Sequence, residues 1–330
     1  MNPPPKLDLA RLPTPLQPLD RLSEALGGPR IWIKRDDLTE AAGAGNKIRK
    51  LEFVLADALN QGATALITSG GLQSNHCRAT ALFAAQLGLQ CHLILRGAEA
   101  STANGNLLLN HLLGANIDYV SDQAFEQLDA LYVRKAAQLS ASGERPYQIP
   151  LGASDELGLW GYIQAVKELA TDFAFARIQP SCIVTAVGSG GTYAGLLLGQ
   201  ALYKLTLPVV GICVSRNAAF FERKAAMDTA RWQKRFQSSL NPELGLLRDD
   251  FIGEGYGLTS PEVYRLIAWL AQLEGIILDP VYTGKAFQGL VQMIQHGDIE
   301  GTDVVFLHTG GLLGVFPQMS QQILSELLRE

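Results

Sequence analysis

Residues 45–52 read Gly-Asn-Lys-Ile-Arg-Lys-Leu-Glu and place one lysine, Lys47, directly after a loop rich in glycine and alanine. Apolar residues then recur along residues 51–59 with the spacing of one helix face, which predicts an amphipathic helix beginning near Lys47. A cation is disfavoured at a helix N-terminus, and burial disfavours it further, so Lys47 is a candidate for a neutral amine. A neutral amine can form a Schiff base with a carbonyl compound. The alternative is a solvated surface lysine, as we expect for Lys50 in the same stretch.

Composition and charge limit the classes of protein to which this chain can belong. The 330 residues are 47% hydrophobic and 18% charged, which is typical of a globular protein. The formal net charge is −5 and no basic block stands out, which argues against a nucleic-acid or anionic-membrane surface. No apolar run reaches the length of a membrane span, and residues 1–22 lack the apolar core of a signal peptide. The four cysteines are scattered without a Cys-x-x-Cys pair, so we expect a cytoplasmic protein with reduced thiols.

Short apolar runs alternate with helical patterns along the chain, which predicts an α/β fold with mostly parallel sheets flanked by helices. We expect a smaller inserted α/β domain at residues 51–159 and a larger domain formed by residues 1–50 and 160–330. The predicted strands are residues 65–68, 91–95, 117–120, 147–149, 182–187, 208–214, 276–278 and 303–308.

Three glycine-rich turns follow predicted strands, which is where open α/β sheets bind their ligands. The turn at residues 188–192, Gly-Ser-Gly-Gly-Thr, is dense in glycine and opens a predicted helix. Backbone N–H groups converge in such a turn and the helix N-terminus favours negative charge, so it predicts a phosphate site. Tyr193 stands where a dinucleotide-binding motif has its third glycine, which counts against a nicotinamide dehydrogenase. The alternative is a strand-to-helix connection that needs glycine only for its turn.

The turn Ser74-Asn75-His76 has two interpretations. Serine and asparagine are preferred N-caps and a helix begins there, so these side chains could simply satisfy backbone donors. They could equally face a ligand at the end of the preceding strand. None of the five histidines forms a spaced set of ligands with acidic or cysteine partners, and we therefore predict no metal site.

Two tyrosines lie among glycines, close to predicted strand ends. Tyr256 lies in Gly-Glu-Gly-Tyr-Gly at residues 253–257, and Tyr282 lies in Asp-Pro-Val-Tyr-Thr-Gly-Lys at residues 279–285. Buried structural tyrosines are common, but a phenol in a flexible loop past a strand end is a better candidate for a site residue.

The order of these motifs resembles that of one enzyme family. Gly-Asn-Lys-x-Arg-Lys-Leu-Glu, Gln-Ser-Asn-His, Gly-Ser-Gly-Gly-Thr, Asp-Pro-Val-Tyr-Thr-Gly-Lys and His-Thr-Gly-Gly follow one another along residues 12–316. Together they resemble the 1-aminocyclopropane-1-carboxylate deaminase/D-cysteine desulfhydrase family. The resemblance implies pyridoxal 5′-phosphate as cofactor, a homodimer, and the tryptophan-synthase-β-like fold, fold type II, with two open twisted sheets.

The resemblance also implies which residues hold the cofactor. Lys47 would carry the Schiff base, and Asn75 would hydrogen-bond the ring hydroxyl. Thr309 would lie near the pyridine nitrogen, and Thr283 would occupy the position at which some relatives place a carboxylate. The phosphate would be held by Gly188, Ser189, Gly190, Gly191 and Thr192.

A second set of residues would face the substrate. Ser74 would contact the substrate carboxylate and take part in proton transfer. Tyr256 and Tyr282 would line the substrate side as catalytic residues. Asn75 and His76 complete the substrate-binding set that the resemblance implies.

Thr283 and Thr309 indicate the reaction within the family. A glutamate in place of Thr283 marks the cyclopropane deaminases, whereas the threonine pair is desulfhydrase-like. A carboxylate beside the pyridine nitrogen keeps it protonated and strengthens the electron sink, which opening a three-membered ring requires. Expelling thiolate from a β-carbon is easier. Three positions depart from the family pattern: Ala44, Asp155 and Leu313.

The resulting expectation is a pyridoxal-phosphate lyase that performs α,β-elimination on a small amino acid, D-cysteine first, to pyruvate, ammonia and sulfide. The alternatives are 1-aminocyclopropane-1-carboxylate deaminase, an L-cysteate sulfo-lyase, and a catalytically silent homologue that binds a metabolite, since a fold does not determine a function.

Overall fold

The computed structural model describes residues 1–319 together with residues 323 and 325, and its strands form two sheets. The strands are, in chain order, β1 Leu16–Pro18, β2 Arg30–Arg35, β3 Ala65–Gly71, β4 Gln90–Arg96, β5 Asn116–Val120, β6 Pro146–Gln148, β7 Ile183–Val187, β8 Val209–Cys213, β9 Leu246–Arg248 and β10 Asp303–His308. The larger sheet has the order β1-β2-β10-β7-β8-β9, and the smaller sheet has the order β5-β4-β3-β6. Among the strands described, only the β1–β2 pair is antiparallel. The predicted α/β class with mostly parallel sheets is confirmed.

Helices cover both faces of each sheet. They are α1 Asp20–Leu26, α2 Lys47–Asn60, α3 Asn75–Gln86, α4 Gly105–Leu112, α5 Asp122–Phe125, α6 Leu128–Ala141, α7 Leu159–Ala176, α8 Gly191–Tyr203, α9 Ala218–Phe236, α10 Pro261–Glu274, α11 Thr283–Gln295 and α12 Val315–Gln318. Short 3₁₀ turns span Asp36–Leu38, Leu151–Ala153 and Leu312–Gly314.

The hydrophobic core lies on both faces of the larger sheet, because successive side chains of a strand point to opposite faces. Along β10, Val304 and Phe306 pack into one buried cluster, while Val305 and Leu307 pack into another. Both clusters are apolar, which explains why the strands of this parallel sheet read as near-continuous hydrophobic runs. The smaller sheet is likewise packed on its two faces.

Helix α2 lies close against α7 because residue 161 is glycine. A Cβ atom at Gly161 would stand 2.5 Å from the backbone oxygen of Arg49 and 2.7 Å from the backbone nitrogen of Lys50. No larger side chain fits at this crossing without moving a helix. The contact therefore determines the position of the first turns of α2, the helix that begins with Lys47.

A buried network of charges also holds α2 in place. The Arg49 guanidinium donates to both oxygens of Asp36, at 2.8 and 2.7 Å, and to both oxygens of Glu168 on α7, at 2.9 and 3.0 Å. Tyr162 donates to Asp36 at 2.6 Å, and Lys34 on β2 pairs with Glu168 at 2.6 Å. Removing one member would leave a buried charge without its partner, which is strongly destabilising.

Seven of the eight predicted strands are present within one or two residues of their predicted bounds, apart from β3, which continues to Gly71. The prediction for residues 276–278 is wrong: this segment is an irregular connection between α10 and α11. Ile276 and Leu278 are buried and Ile277 is exposed, which is the alternating pattern of a strand. The segment has no place beside β10, however, because β10 is already paired with β2 on one edge and with β7 on the other.

The sequence prediction also missed three strands. The apolar pattern of β2 is interrupted by the charge of Lys34, which lies at one of its buried positions. β1 and β9 contain three residues each and lie at the edges of the larger sheet, where pairing on one side suffices. The smaller sheet is formed by residues 65–148, inside the predicted insertion, whereas the domain boundaries themselves stay a prediction.

Candidate active site

The predicted site residues gather at the carboxyl ends of β3, β7 and β10. The loop before Lys47 reaches this edge, because the Asn46 backbone N–H donates to the Thr309 carbonyl at 3.0 Å. The Asn46 side chain donates to Thr192 Oγ1 at 2.9 Å, which joins the same loop to the glycine turn after β7. A Cβ at Gly310 would stand 2.7 Å from the Gly45 Cα, so the two backbones touch. Lys47, the glycine turn and the end of β10 are thereby brought together.

Lys47 is the first residue of α2, as predicted, and its side chain is only partly exposed. Burial lowers the pKa of its amine from 10.5 to about 8, because the charged form loses solvation there. A substantial fraction of the amine is therefore neutral near physiological pH, as a Schiff-base nucleophile requires.

The expectation that Lys50 is a solvated surface lysine is wrong. Its side chain is fully buried, and its ammonium lies 3.3 Å from both the Gly152 carbonyl and Ser154 Oγ. Burial, followed by the charges of Lys47 and Lys224, lowers the pKa of Lys50 well below its usual value. Long hydrogen bonds to neutral oxygens compensate a buried cation poorly, so this position fits a bound anion.

The glycine turn after β7 and the loop after β6 form the rest of an anion site. A Cβ at Gly191 would meet Ser154 Oγ at 2.5 Å and the Lys50 ammonium at 2.7 Å. A Cβ at Gly152 would meet Ser189 Oγ at 2.5 Å, and the Ser154 and Ser189 hydroxyls lie 2.9 Å apart. Two hydroxyls, the Lys50 amine and the N-terminus of α8 thus converge where side chains are excluded, which fits a phosphate group.

Ser74, in the turn after β3, has the N-cap role that the sequence predicts. Ser74 is the N-cap of α3, and its Oγ accepts a hydrogen bond from the Cys77 N–H at 3.1 Å. His76 is buried, and its Nε2 lies 2.8 Å from Thr68 Oγ1, which itself donates to the Ile149 carbonyl at 2.9 Å. The hydroxyl proton of Thr68 is therefore used, so Nε2 of His76 is the donor in their hydrogen bond. Burial and the charges of Lys47 and Lys50 lower the pKa of His76 well below its usual value and keep the ring neutral.

Tyr256 and Tyr282 form a hydroxyl pair between the two sheets. Their oxygens lie 2.6 Å apart and their rings meet edge to face. A Cβ at Gly188, at the end of β7, would stand 2.7 Å from the Tyr282 ring, and Gly71, at the end of β3, faces the Tyr256 ring. Burial raises the pKa of both phenols, and the shift is larger for Tyr282, so both stay protonated near neutral pH.

Thr283 and Thr309 differ in what they can reach. Thr283 is 0% exposed. Its hydroxyl donates to Asp279 Oδ1 at 2.7 Å and accepts from the Asp279 N–H at 2.8 Å. Asp279 also accepts from the backbone N–H groups of Val281, Tyr282 and Thr283, each at 2.9 Å. Thr309 keeps 8% exposure beside the loop of Lys47, so its side chain is the better placed of the two for a ligand.

Sequence reasoning missed three contributors to this site: Asn46, Lys50 and Ser154. A signal for Lys50 was present, because residues three apart in a helix lie on neighbouring faces and Lys50 follows Lys47 at that spacing. Asp155, one of the departures from the family pattern, accepts from the Gly158 N–H at 2.7 Å before α7.

In the described part of the chain, no cluster of three or more His, Cys, Asp or Glu side chains could hold a metal ion. None of the helices described there is long and apolar enough to cross a membrane.

Comparison with known proteins gives matches over almost the whole chain. Residues 7–310 match the family model described as pyridoxal-phosphate dependent enzyme. A Thermotoga maritima protein provisionally named 1-aminocyclopropane-1-carboxylate deaminase is 43% identical over 314 residues, which cover 95% of this chain and 98% of that protein. A D-cysteine desulfhydrase from Klebsiella pneumoniae is 42% identical over 94% of this chain and 95% of its own. The crystal structure of an ACC deaminase homologue superposes with a TM-score of 0.88 at 38% identity, covering 98% of this chain and 96% of that one.

These matches agree with the geometry of the site: a buried lysine with a lowered pKa, a cluster of groups that fits a phosphate, and a pair of tyrosine hydroxyls at one edge of two mostly parallel sheets. The predicted cofactor and fold are thereby confirmed. The chain is a pyridoxal-phosphate dependent enzyme and belongs to the family that contains the 1-aminocyclopropane-1-carboxylate deaminases and the D-cysteine desulfhydrases.

Proposed function

We propose that this enzyme catalyses α,β-elimination on a small D-amino acid with a β-leaving group, D-cysteine first, to give pyruvate, ammonia and sulfide. The observation that carries this proposal is the hydrogen bonding within residues 279–283, which leaves no carboxylate oxygen free to face a pyridine nitrogen. The two Asp279 oxygens accept four hydrogen bonds, all from residues 281–283, and the residue is 1% exposed. A carboxylate has about four acceptor positions, so Asp279 has none to spare.

A ring nitrogen without a carboxylate partner makes the cofactor a modest electron sink. Loss of thiolate from a β-carbon releases a stable anion and needs only modest stabilisation of the carbanion at Cα. Opening a cyclopropane ring breaks a carbon–carbon bond and needs more. Thr309, a residue that is 8% exposed, would supply a neutral hydroxyl partner to the ring nitrogen.

When bound, pyridoxal phosphate withdraws electrons from the Cα of a substrate amine and so weakens its Cα–H bond. Lys47 would attach the cofactor, and its lowered pKa of about 8 lets the same amine accept and return a proton near neutral pH. Lys50, Ser154, Ser189 and the α8 N-terminus would fix the phosphate and, through it, the orientation of the ring.

Ser74 would orient the substrate. Its Oγ already accepts the Cys77 N–H, so the hydroxyl proton is free to donate to the substrate carboxylate. The N-terminus of α3 adds positive potential at the same place, which favours a carboxylate there.

The tyrosine pair would supply a proton to the leaving group. One hydroxyl donates to the other across 2.6 Å, which leaves one O–H of the pair available. The pKa of Tyr256 is raised less than that of Tyr282, because the hydrogen bond from Tyr282 offsets part of the effect of burial. Tyr256 is therefore the better proton donor to a departing thiolate, and Tyr282 would stabilise it through their hydrogen bond.

The second candidate is 1-aminocyclopropane-1-carboxylate deaminase, the provisional name of the 43% identical Thermotoga maritima relative. An L-cysteate sulfo-lyase is a further alternative, since it would use the same elimination with a different leaving group.

The deciding experiment offers the purified holoenzyme D-cysteine, β-chloro-D-alanine, L-cysteine, L-cysteate and 1-aminocyclopropane-1-carboxylate in parallel. Pyruvate, sulfide and 2-oxobutanoate are quantified for each compound. We expect turnover of D-cysteine and β-chloro-D-alanine at least ten times faster than deamination of the cyclopropane. Efficient production of 2-oxobutanoate from the cyclopropane would refute the proposal, and a preference for L-cysteate would replace it with the sulfo-lyase.

We further propose that the enzyme is a homodimer in the cytoplasm and that its small-molecule partner is an amino acid. Light scattering coupled to size-exclusion chromatography tests the first point: a mass near twice the 35.7 kDa of the chain is expected, and a monomer would contradict it.

A further inference from the structure

The cofactor-side turn Gln73–Asn75 is bound to helix α4 through one buried asparagine, Asn106. Asn106 is 0% exposed, and its Nδ2 donates to the Gln73 carbonyl and to Asn75 Oδ1, each at 2.9 Å. Its backbone N–H donates to Gln73 Oε1, also at 2.9 Å. The turn and the first residues of α4 are thus joined by three hydrogen bonds.

The backbone carbonyl of Gln73 determines how both amides are oriented. The oxygen and nitrogen of a side-chain amide are distinguished only by their partners, but a backbone carbonyl can only accept. The atom of Asn106 that faces Gln73 O must therefore be the NH₂ group. The other hydrogen of that NH₂ points to Asn75, which must present its oxygen in return. The NH₂ group of Asn75 is then left for the opposite side.

We propose that Asn106 is a positioning residue that makes Asn75 a hydrogen-bond donor, and not an acceptor, toward the ring oxygen of the cofactor. This inference rests on the proposed placement of Asn75 beside that oxygen. The ring oxygen of pyridoxal phosphate is acidic and carries negative charge in the bound state, so a donor stabilises it and an amide oxygen would repel it. Asn106 does not touch the cofactor in this scheme, and it acts through Asn75.

Helix α4 is held in place closely enough for this role. Gly105 has φ +51°, and a Cβ there would stand 2.7 Å from Gln73 Oε1 and 2.8 Å from the Leu313 carbonyl. The helix therefore starts in direct contact with both the turn and the segment after β10. Asn106, the next residue, has little freedom to move away from Asn75.

The same helix provides a matched control. Asn110 lies one turn after Asn106 and is equally buried, but neither atom of its amide has a hydrogen-bond partner among the residues described. Asn110→Leu thus reports the effect of an apolar side chain of this size in α4 without any loss of contact to Asn75.

The test measures the apparent dissociation constant of pyridoxal 5′-phosphate from the full-length holoenzyme by dilution and cofactor fluorescence. The variants are Asn106→Leu, Asn110→Leu, Asn75→Ala and the double variant Asn106→Leu/Asn75→Ala. A hydrogen bond to a charged group contributes about ten- to hundred-fold in affinity, so we expect Asn106→Leu to weaken binding by about that factor. Asn110→Leu should change it less than about three-fold. In the Asn75→Ala background, Asn106→Leu should weaken cofactor binding by a further factor of less than about two, because the two residues act as one unit.

Asn106→Asp keeps the side-chain shape and replaces Asn106→Leu if the latter does not fold. Its carboxylate can only accept, so it would turn the Asn75 amide round and weaken binding at least as much. Equal losses from the Asn106 variant in both backgrounds would overturn the inference, since the effect would then bypass Asn75. Unchanged binding in the Asn106 single variant, with weaker binding in Asn75→Ala, would overturn this inference alone. Unchanged binding in Asn75→Ala would overturn it together with the proposed placement of Asn75, whereas the elimination reaction is decided by the substrate panel.

Discussion

The lowered pKa of Lys47 can be measured directly, with pH as the perturbation. Burial moves the pKa of this amine from 10.5 to about 8. At pH 8 about half of the Lys47 amine is then neutral, whereas about 0.3% of an amine with the usual pKa would be. Since only the neutral amine is a nucleophile, Lys47 should be acylated with a pH midpoint about two and a half units below that of an ordinary lysine.

The assay treats cofactor-free protein with a limiting amount of acetic anhydride at a series of pH values between 6 and 11. Mass spectrometry then quantifies acetylation of the Lys47 peptide at each pH, and the peptide of the exposed Lys167 gives the profile of an exposed lysine for comparison. Restricted access lowers the rate at every pH equally, so the midpoint reports the pKa and not the exposure. Lys47→Arg identifies the peptide and must abolish the signal.

A midpoint for Lys47 near 10.5 would refute this reasoning, because it would mean that the amine is solvated in the folded protein. Attachment of the cofactor could then still occur, but burial would no longer explain why this lysine is reactive.

Two further predictions concern stability. Burial alone would raise the pKa of Glu168, but the hydrogen bonds and charges of Arg49 and Lys34 outweigh it and lower the pKa from 4.5 to about 2. A depressed carboxyl pKa stabilises the fold above the unfolded value, and this contribution is lost as the pH falls from about 4.5 to about 2. Urea unfolding should therefore show that Glu168→Gln has a free energy of unfolding about 3 kcal/mol lower than that of the wild type at pH 7. This difference in stability should narrow as the pH falls from about 4.5 to about 2. A difference that does not depend on pH would contradict the proposed charge network. Gly161→Ala should lower the free energy of unfolding by about 1–3 kcal/mol, because the new Cβ would lie 2.5 Å from the Arg49 carbonyl oxygen. Helix propensity alone predicts the opposite, an increase in stability. An increase would therefore show that α2 and α7 are free to separate.

Much of the fold could be predicted because its signals are local. The apolar period after Lys47 and the runs that became β7, β8 and β10 depend on residues a few positions apart. The hydrogen bonds that Asp279 accepts from residues 281–283 are equally local. The motif Asp-Pro-Val-Tyr-Thr contains an acidic residue and a hydroxyl, as is common where a helix begins. Strand β2 could not be recognised in this way, because the buried Lys34 is compensated by Glu168 and Asp172 on a distant helix.

Local sequence thus determined seven of the ten strands described, where α2 begins, and which lysine stands at its N-terminus. Only the tertiary structure decided that Lys50 is buried beside the glycine turn, because its neighbours Gly152 and Ser154 lie 102 and 104 residues further along the chain. The same holds for the tyrosine pair and for Asn106, whose partner Asn75 precedes it by 31 residues. The physical reason is that burial and hydrogen bonding of a polar side chain depend on all the atoms around it, and the fold supplies those atoms from separate segments.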